Sequence, residues 1–181
     1  MQSTLVVITG HPGSGKTTLA QKIAKQHGLL CVSKDALKER IFDGLGTGNK
    51  EWSLKVSGVS HRIMDDIVRQ ELAVGHSVVV ESNFKPGIDS ERFTTIVNES
   101  SANCVQILCK ASGEELFRRW NRRIANGSRH EGHVEAISLE DIKHDLSLPY
   151  EPLDLPGQLM TIDTTNPAAI VLPDIRIHEG R

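Results

Sequence analysis

The sequence predicts an α/β fold, a mainly parallel sheet between two layers of helix. Three observations carry this. Short β-branched runs alternate with helical patterns along the chain. The Val- and Ile-rich runs place apolar residues on both faces, as strands covered on two sides require. A glycine-rich turn, GHPGSGKT, separates the first strand from the first helix, beyond the carboxyl ends of the strands where such sheets bind ligands.

The elements follow in order. Leu5–Thr9 is the first strand, and Lys16–Gln26 the first helix, with Leu19, Ala20, Ile23 and Ala24 on one face. Strand Leu29–Ser33 leads into a short helix, Lys34–Phe42. The spacing then predicts a helix over Ser57–Val74, carrying Val59, Ile63, Ile67 and Val74 toward one side and stopped by Gly75. Strands Ser77–Glu81 and Val105–Lys110 come next. Helix Ser112–Asn126 opens with the capping pair Ser112 and Glu115 and ends at Gly127. Leu139–Leu146 is a weaker helix before Pro149, and Leu159–Asp163 is the last strand.

The 181 residues suit one domain over 1–181. The composition, 38% hydrophobic and 24% charged, is that of a soluble globular chain. A net charge of -2 gives no general attraction to nucleic acid or an anionic membrane. No segment is long enough to span a bilayer, and the apolar stretch Leu5–Ile8 is too short for a signal peptide. Cys31, Cys104 and Cys109 form no CxxC pair and lie in apolar runs, so they read as core thiols of a cytoplasmic protein.

Gly10, His11, Pro12, Gly13, Ser14, Gly15, Lys16 and Thr17 match GxxxxGK[ST] at every fixed position, and Thr18 continues into the helix. Glycines let backbone N–H groups turn toward phosphate oxygens, and the helix N-terminus adds positive charge. Lys16 is placed for the β- and γ-phosphates of a nucleoside triphosphate, and the Thr17 hydroxyl for Mg²⁺. The strand SVVVE ends in Glu81, positioned as the carboxylate that reaches the metal or its water, with Asn83 and Phe84 following at the acceptor edge.

In ELFRRWNRRIANGSRHEGH, Leu116, Phe117, Trp120 and Ile124 form one arc of a helix. Arg118, Arg119, Arg122 and Arg123 form the other. Arg129 follows beyond a glycine. Guanidinium groups match phosphate oxygens, so Arg122 and Arg123 read as transition-state contacts and Arg119 and Arg129 as nucleotide contacts. The alternative is a solvated face. His130 and His133 fall short of the four ligands of a structural zinc site. Asp35 stands where the chain turns from strand to helix. It reads either as an acid favourable to the helix dipole or as a functional carboxylate.

Together these segments resemble the small P-loop kinases, in particular the zeta-toxin and polynucleotide-kinase-like group, to which chloramphenicol phosphotransferases are also similar. The segments are GHPGSGKTT, SKDALKERIFD, VVVESNF and RRWNRR…SRHEGH, within residues 5 to 135. The resemblance implies a three-layer P-loop sandwich whose five-stranded parallel sheet runs 2-3-1-4-5, a helical lid around 118–135, and ATP with Mg²⁺. It also implies that Asp35 contacts the acceptor hydroxyl as base, and that Thr165 and Asn166 edge the adenine pocket. Relatives carry Arg three residues after that Asp; this chain has Lys38, with Arg40 nearby. Lys38, Arg40, Trp52, Asn83 and Phe84 are the expected acceptor contacts. Relatives also tend toward Asp on the third strand and Pro in the RHxGH stretch, where this chain has Glu81 and Glu131.

The expected activity is transfer of phosphate from ATP to a hydroxyl of a small molecule such as a sugar, nucleoside or antibiotic, by a monomer. Two other classes fit the motifs. One is a kinase of nucleic-acid 5′-hydroxyls, disfavoured by the negative net charge and 4% aromatic content. The other is a nucleotide-switched regulatory or toxin-like protein.

Overall fold

The computed structural model describes residues 2–127, 130–133, 139–175 and 177. Arg129, and the expected lid from 134 onward, lie outside the described residues. Five parallel strands form one sheet in the order β2-β3-β1-β4-β5. They are β1 (Thr4–Gly10), β2 (Leu30–Ser33), β3 (Val78–Glu81), β4 (Asn103–Lys110) and β5 (Gln158–Asp163). The helices are α1 (Lys16–His27), α2 (Lys34–Leu45), α3 (Lys50–Ala73), α4 (Ile88–Ser100), α5 (Gly113–Ala125) and α6 (Leu139–Ser147). Among the described residues no helix is long and apolar enough to cross a membrane.

The period of two along the central strand builds both cores. Leu5 and Val7 face a cluster with Met64 and Val68 of α3 and Phe93 and Ile96 of α4. Val6 and Ile8 face Leu19, Ala20 and Ile23 of α1 on the other side. The segment after β5, which has no strong pattern in the sequence, closes that second core with Ile170, Leu172 and Ile175. Cys104 and Cys109 are buried and Cys31 half-buried; burial raises their thiols to about 11, 12 and 11 respectively. They are core atoms, not reactive thiols.

Three departures from the sequence reading have physical causes. α3 begins at Lys50, seven residues before the expected Ser57, because the Asn49 side chain accepts from Trp52 N and caps it. Its buried row is Val56, Ser60, Met64, Val68 and Leu72, stepping by four, so Val59 and Ile63 form a half-exposed flank and Val74 is exposed. α4 is masked in the sequence by the β-branched run Thr94-Thr95-Ile96-Val97, although Phe93, Ile96 and Val97 lie at helical spacing. On α5, Leu116 and Trp120 are buried against α6, but Ile124 is exposed at the end of the helix.

The strand order makes β1 the switch point. The chain leaves β1 toward β2 on one side, and leaves β3 toward β4 on the other. Ile8 pairs with Glu81, and Ser33 pairs with Glu81, so three strand ends meet at one crevice.

Candidate active site

The turn after β1 is held open for a ligand. Gly13 and Gly15 adopt φ of 83° and 81°, a left-handed backbone that other L-residues resist. Gly15 caps α1 without any side-chain hydrogen bond, and the first turn of α1 holds no carboxylate. Its leading N–H groups are therefore presented to the crevice, not satisfied by a capping side chain. Ser14 Oγ is buried and makes no hydrogen bond. Lys16 is 7% exposed, and its Nζ donates only to the His11 carbonyl, at 3.1 Å, among the bonds described. Burial pulls the Lys16 pKa below its ordinary value, against the opposing pull of Glu81 and Asp35. A cradle of N–H donors, an orphaned hydroxyl and a buried ammonium fits the phosphates of a nucleotide.

Glu81 is the node beside it. The buried carboxylate accepts from Thr17 Oγ1 at 3.1 Å and from Ser33 Oγ at 2.5 Å, both through Oε1. A hydroxyl and a carboxylate at the rim of a phosphate cradle form a hard oxygen donor set, which fits Mg²⁺.

A cleft of about 690 Å³ runs from this cradle to α2. Asp35 lines it, its side chain 46% exposed and its Oδ1 3.1 Å from Lys34 Nζ. Burial pushes the Asp35 carboxyl up, but Lys34 first, then His133 where its ring is protonated, and Lys16 outweigh it, and the pKa lies below the usual carboxylate value. The helix cap is Ser33, whose Oγ accepts from Ala36 N. Asp35 is thus free of capping duty. Lys38, Asn83, Arg122 and Arg123 line the same cleft.

The model of the AAA domain family matches residues 5–149. The chain belongs to the AAA domain family. A crystallised protein of Chloroflexus aurantiacus, provisionally assigned as a kinase, is 39% identical to this AAA-domain chain. That match covers 95% of this chain and 94% of the other, with a TM-score of 0.88. The cytidylate kinase of Ignicoccus hospitalis is 37% identical over 83 residues, 44% of this chain and 47% of that enzyme, so the match spans about half the enzyme's length. The APS kinase of Mycobacterium tuberculosis, solved with AMPPNP and APS, shares the fold at 16% identity and a TM-score of 0.56, over 88% of each chain. The AAA-domain chain is thereby one of the small P-loop kinase group.

Several expected site residues of this AAA-domain protein do not line the cleft. The Phe84 ring is fully buried, edge-on to Phe93 at 4.9 Å, because the chain turns inward after β3. Arg40 points to solvent and pairs with Asp43. Trp52 Nε1 donates to the Gly46 carbonyl, away from the opening. His11 packs against Tyr150, with Nε2 2.9 Å from the Leu148 carbonyl. Thr165 Oγ1 accepts from Ser112 N, and Asn166 Oδ1 accepts from Ala168 N. Pro167 and Ile170 line that end instead. Gly10 packs too closely on Cys109 for a Cβ.

Arg119 differs most from the sequence reading. At 100° per residue it lies only about 60° from Leu116, on the flank of the buried arc. It is 8% exposed, and its guanidinium donates to Glu115 Oε1, the Gly13 carbonyl at 3.0 Å and the Thr164 carbonyl at 2.7 Å. Arg119 therefore ties the phosphate loop to the turn after β5. Arg119→Ala leaves buried carbonyls unpaired and is expected to cost at least about 2 kcal/mol, read as a lower urea midpoint.

The cleft also holds Lys34 and Glu39, to which the sequence assigns no role, and His133, which the sequence weighs only as a metal ligand. Glu39 carries a faint signal, since positions 35 and 39 share a face of α2. His133 carried none, because its neighbours come from α2.

Proposed function

We propose that this AAA-domain protein is an ATP-dependent kinase that transfers the γ-phosphate to a hydroxyl of a small molecule, of the sugar, nucleoside or antibiotic class. The carrying observation is one cleft lined by Lys16, Thr17, Asp35, Arg122 and Arg123, with Glu81 bonded to Thr17 at its edge. In this reading Gly13, Gly15, Lys16, Thr17 and Thr18 hold the phosphates, and Thr17 and Glu81 hold the magnesium side. When bound, ATP and Mg²⁺ supply an electrophilic γ-phosphorus and neutralise the triphosphate charge. Asp35 orients the acceptor hydroxyl and takes its proton as that oxygen bonds to phosphorus. The electron pair of the broken P–O bond leaves with ADP. Arg122 and Arg123 steady the charge on the transferring group.

Arg122 and Arg123 are exposed on the last turns of α5, so their removal costs little stability. Arg122→Ala and Arg123→Ala are expected to keep the melting temperature while lowering kcat by roughly 10-fold or more. Unchanged kcat in both would return them to a solvated face.

The reading is tested by incubating the protein with γ-labelled ATP, Mg²⁺ and a set of hydroxyl metabolites, antibiotics and 5′-hydroxyl oligonucleotides. Label on a small molecule supports it. Label on the oligonucleotides alone would replace it with the nucleic-acid reading.

A further inference from the structure

On the acceptor side of the cleft, Asp35 and Glu39 stand one helical turn apart on α2 and line the same opening. Side chains at i and i+4 begin about 5–6 Å apart. Glu39 has a partner from a distant part of the chain: its Oε1 lies 2.9 Å from Nε2 of His133.

Residues 130–133 reach α2 and α3 through several independent contacts. The His130 ring stacks on Phe42, and its Nε2 lies 3.2 Å from Asp43 Oδ1. Ser53 Oγ donates to the Gly132 carbonyl at 3.2 Å, and Lys38 Nζ donates to Ser53 Oγ at 2.9 Å. A Cβ on Gly132 would stand 2.2 Å from the Phe42 ring, so a residue without a side chain is needed there. This seat brings His133 into the cleft.

The pair has a defined protonation. Burial holds the His133 pKa below the ordinary imidazole value, with Glu39 and Asp35 pulling the other way, so the ring is neutral near pH 7. An ionised carboxylate only accepts hydrogen bonds. Nε2 therefore carries the ring proton toward Glu39, and Nδ1 keeps a lone pair. The charges of this wall also balance. Lys34 and Lys38 offset Asp35 and Glu39, and both lysines are already engaged, by Asp35 and by Ser53. Lys16, Lys22, Arg119, Arg122 and Arg123 are the other cations lining the cleft; Arg119 is tied to the phosphate loop, and in the kinase reading Lys16, Arg122 and Arg123 serve the phosphates.

We infer that Glu39 and His133 form a positioning pair that receives a second hydroxyl of the acceptor, next to the hydroxyl held at Asp35, so that the acceptor class is an uncharged polyol. This rests on the kinase reading above. A lone alcohol fills one of the two positions. An anionic acceptor would face two carboxylates whose neighbouring lysines are committed.

The test uses the full chain with ATP and Mg²⁺, measuring transfer to D-glucose, D-ribose, myo-inositol and adenosine. Each is paired with a monodeoxy counterpart, and 1-propanol serves as the lone hydroxyl. At least one polyol is expected to be phosphorylated, and loss of the hydroxyl beside the reacting one is expected to raise KM about 10-fold, as for one buried hydrogen bond. His133→Ala is expected to raise KM for that polyol equally, leave KM for ATP unchanged, and leave the deoxy KM where it already stood. His133→Gln, which restores a hydrogen-bonding side chain, should recover part of the loss. Equal KM for polyol and deoxy counterpart overturns the inference and leaves the kinase reading standing, as does His133→Ala raising both KM values alike. Transfer to none of the compounds overturns the inference and also tells against a small-molecule acceptor. The deoxy series needs no variant, so it decides even where His133→Ala fails to fold.

Discussion

Lys16→Ala is expected to lower phosphate transfer by about 10²–10³-fold, the cost of removing one preorganised charge from a water-poor site. Lys16 is the one residue of the loop whose ammonium is both buried and aimed at the crevice, anchored to the His11 carbonyl. Burial opposes its charge in the folded protein, so the fold gains nothing by keeping it. The variant should therefore melt at or near the parent temperature while losing activity. That separation matters, because a loss of activity accompanied by unfolding would say nothing about the loop. Steady-state transfer and a thermal melt on the same preparation check it. Parent-rate turnover in a folded Lys16→Ala protein would remove the phosphate cradle from the proposed function.

Asp35→Asn carries the second large effect. It is expected to reduce transfer by roughly 10²-fold while leaving ATP affinity nearly intact. The sequence left two roles open for Asp35: its place in the first turn of α2 suits the helix dipole, and its opening to the cleft suits the acceptor role that the Asp35→Asn assay tests. Ser33 caps α2, its hydroxyl accepting from Ala36 N and donating to Glu81. The Asp35 carboxylate makes its described contact with Lys34 and opens into the cleft. A lowered pKa makes it a weak base, so its contribution comes chiefly from orienting the hydroxyl in a loose transition state. Stability should change little, since the ion pair with Lys34 is half exposed on the carboxylate side. ATP titration beside the transfer assay reads both arms. Full transfer in Asp35→Asn would end the catalytic role.

How much of this was legible in the sequence depends on the range of the forces involved. The five strands could be read because each is a short apolar run bounded by turn residues, a local signal. The phosphate loop could be read because its glycines and lysine sit at fixed spacing on one turn. That Thr17 and Glu81 lie near one another was legible from the loop spacing and the end of β3 together. What escaped depends on partners far along the chain. Arg119 became structural because the carbonyls of Gly13 and Thr164 come to its guanidinium. Phe84 left the site because the turn after β3 finds an apolar neighbour in Phe93, on a helix the sequence hid. His133 enters the site through contacts of residues 130–133 with α2 and α3, among them Glu39 and the space that Gly132 leaves for Phe42. The arcs on α3 and α5 were misjudged by one row, and a helical wheel alone does not fix which side of a broad stripe meets the sheet.

The most direct measurement of the central claim is a phosphorus NMR spectrum of the reaction itself. The protein is incubated with ATP, Mg²⁺ and the best acceptor from the labelling set, and the new phosphorus resonance is recorded with proton coupling. Transfer to an alcohol predicts a phosphomonoester signal split by the protons on the carbon bearing the oxygen, growing as the γ-phosphate signal of ATP falls and absent with Asp35→Asn. An unsplit orthophosphate signal as the sole product, unchanged by Asp35→Asn, would contradict the account and leave a nucleotide hydrolase in its place.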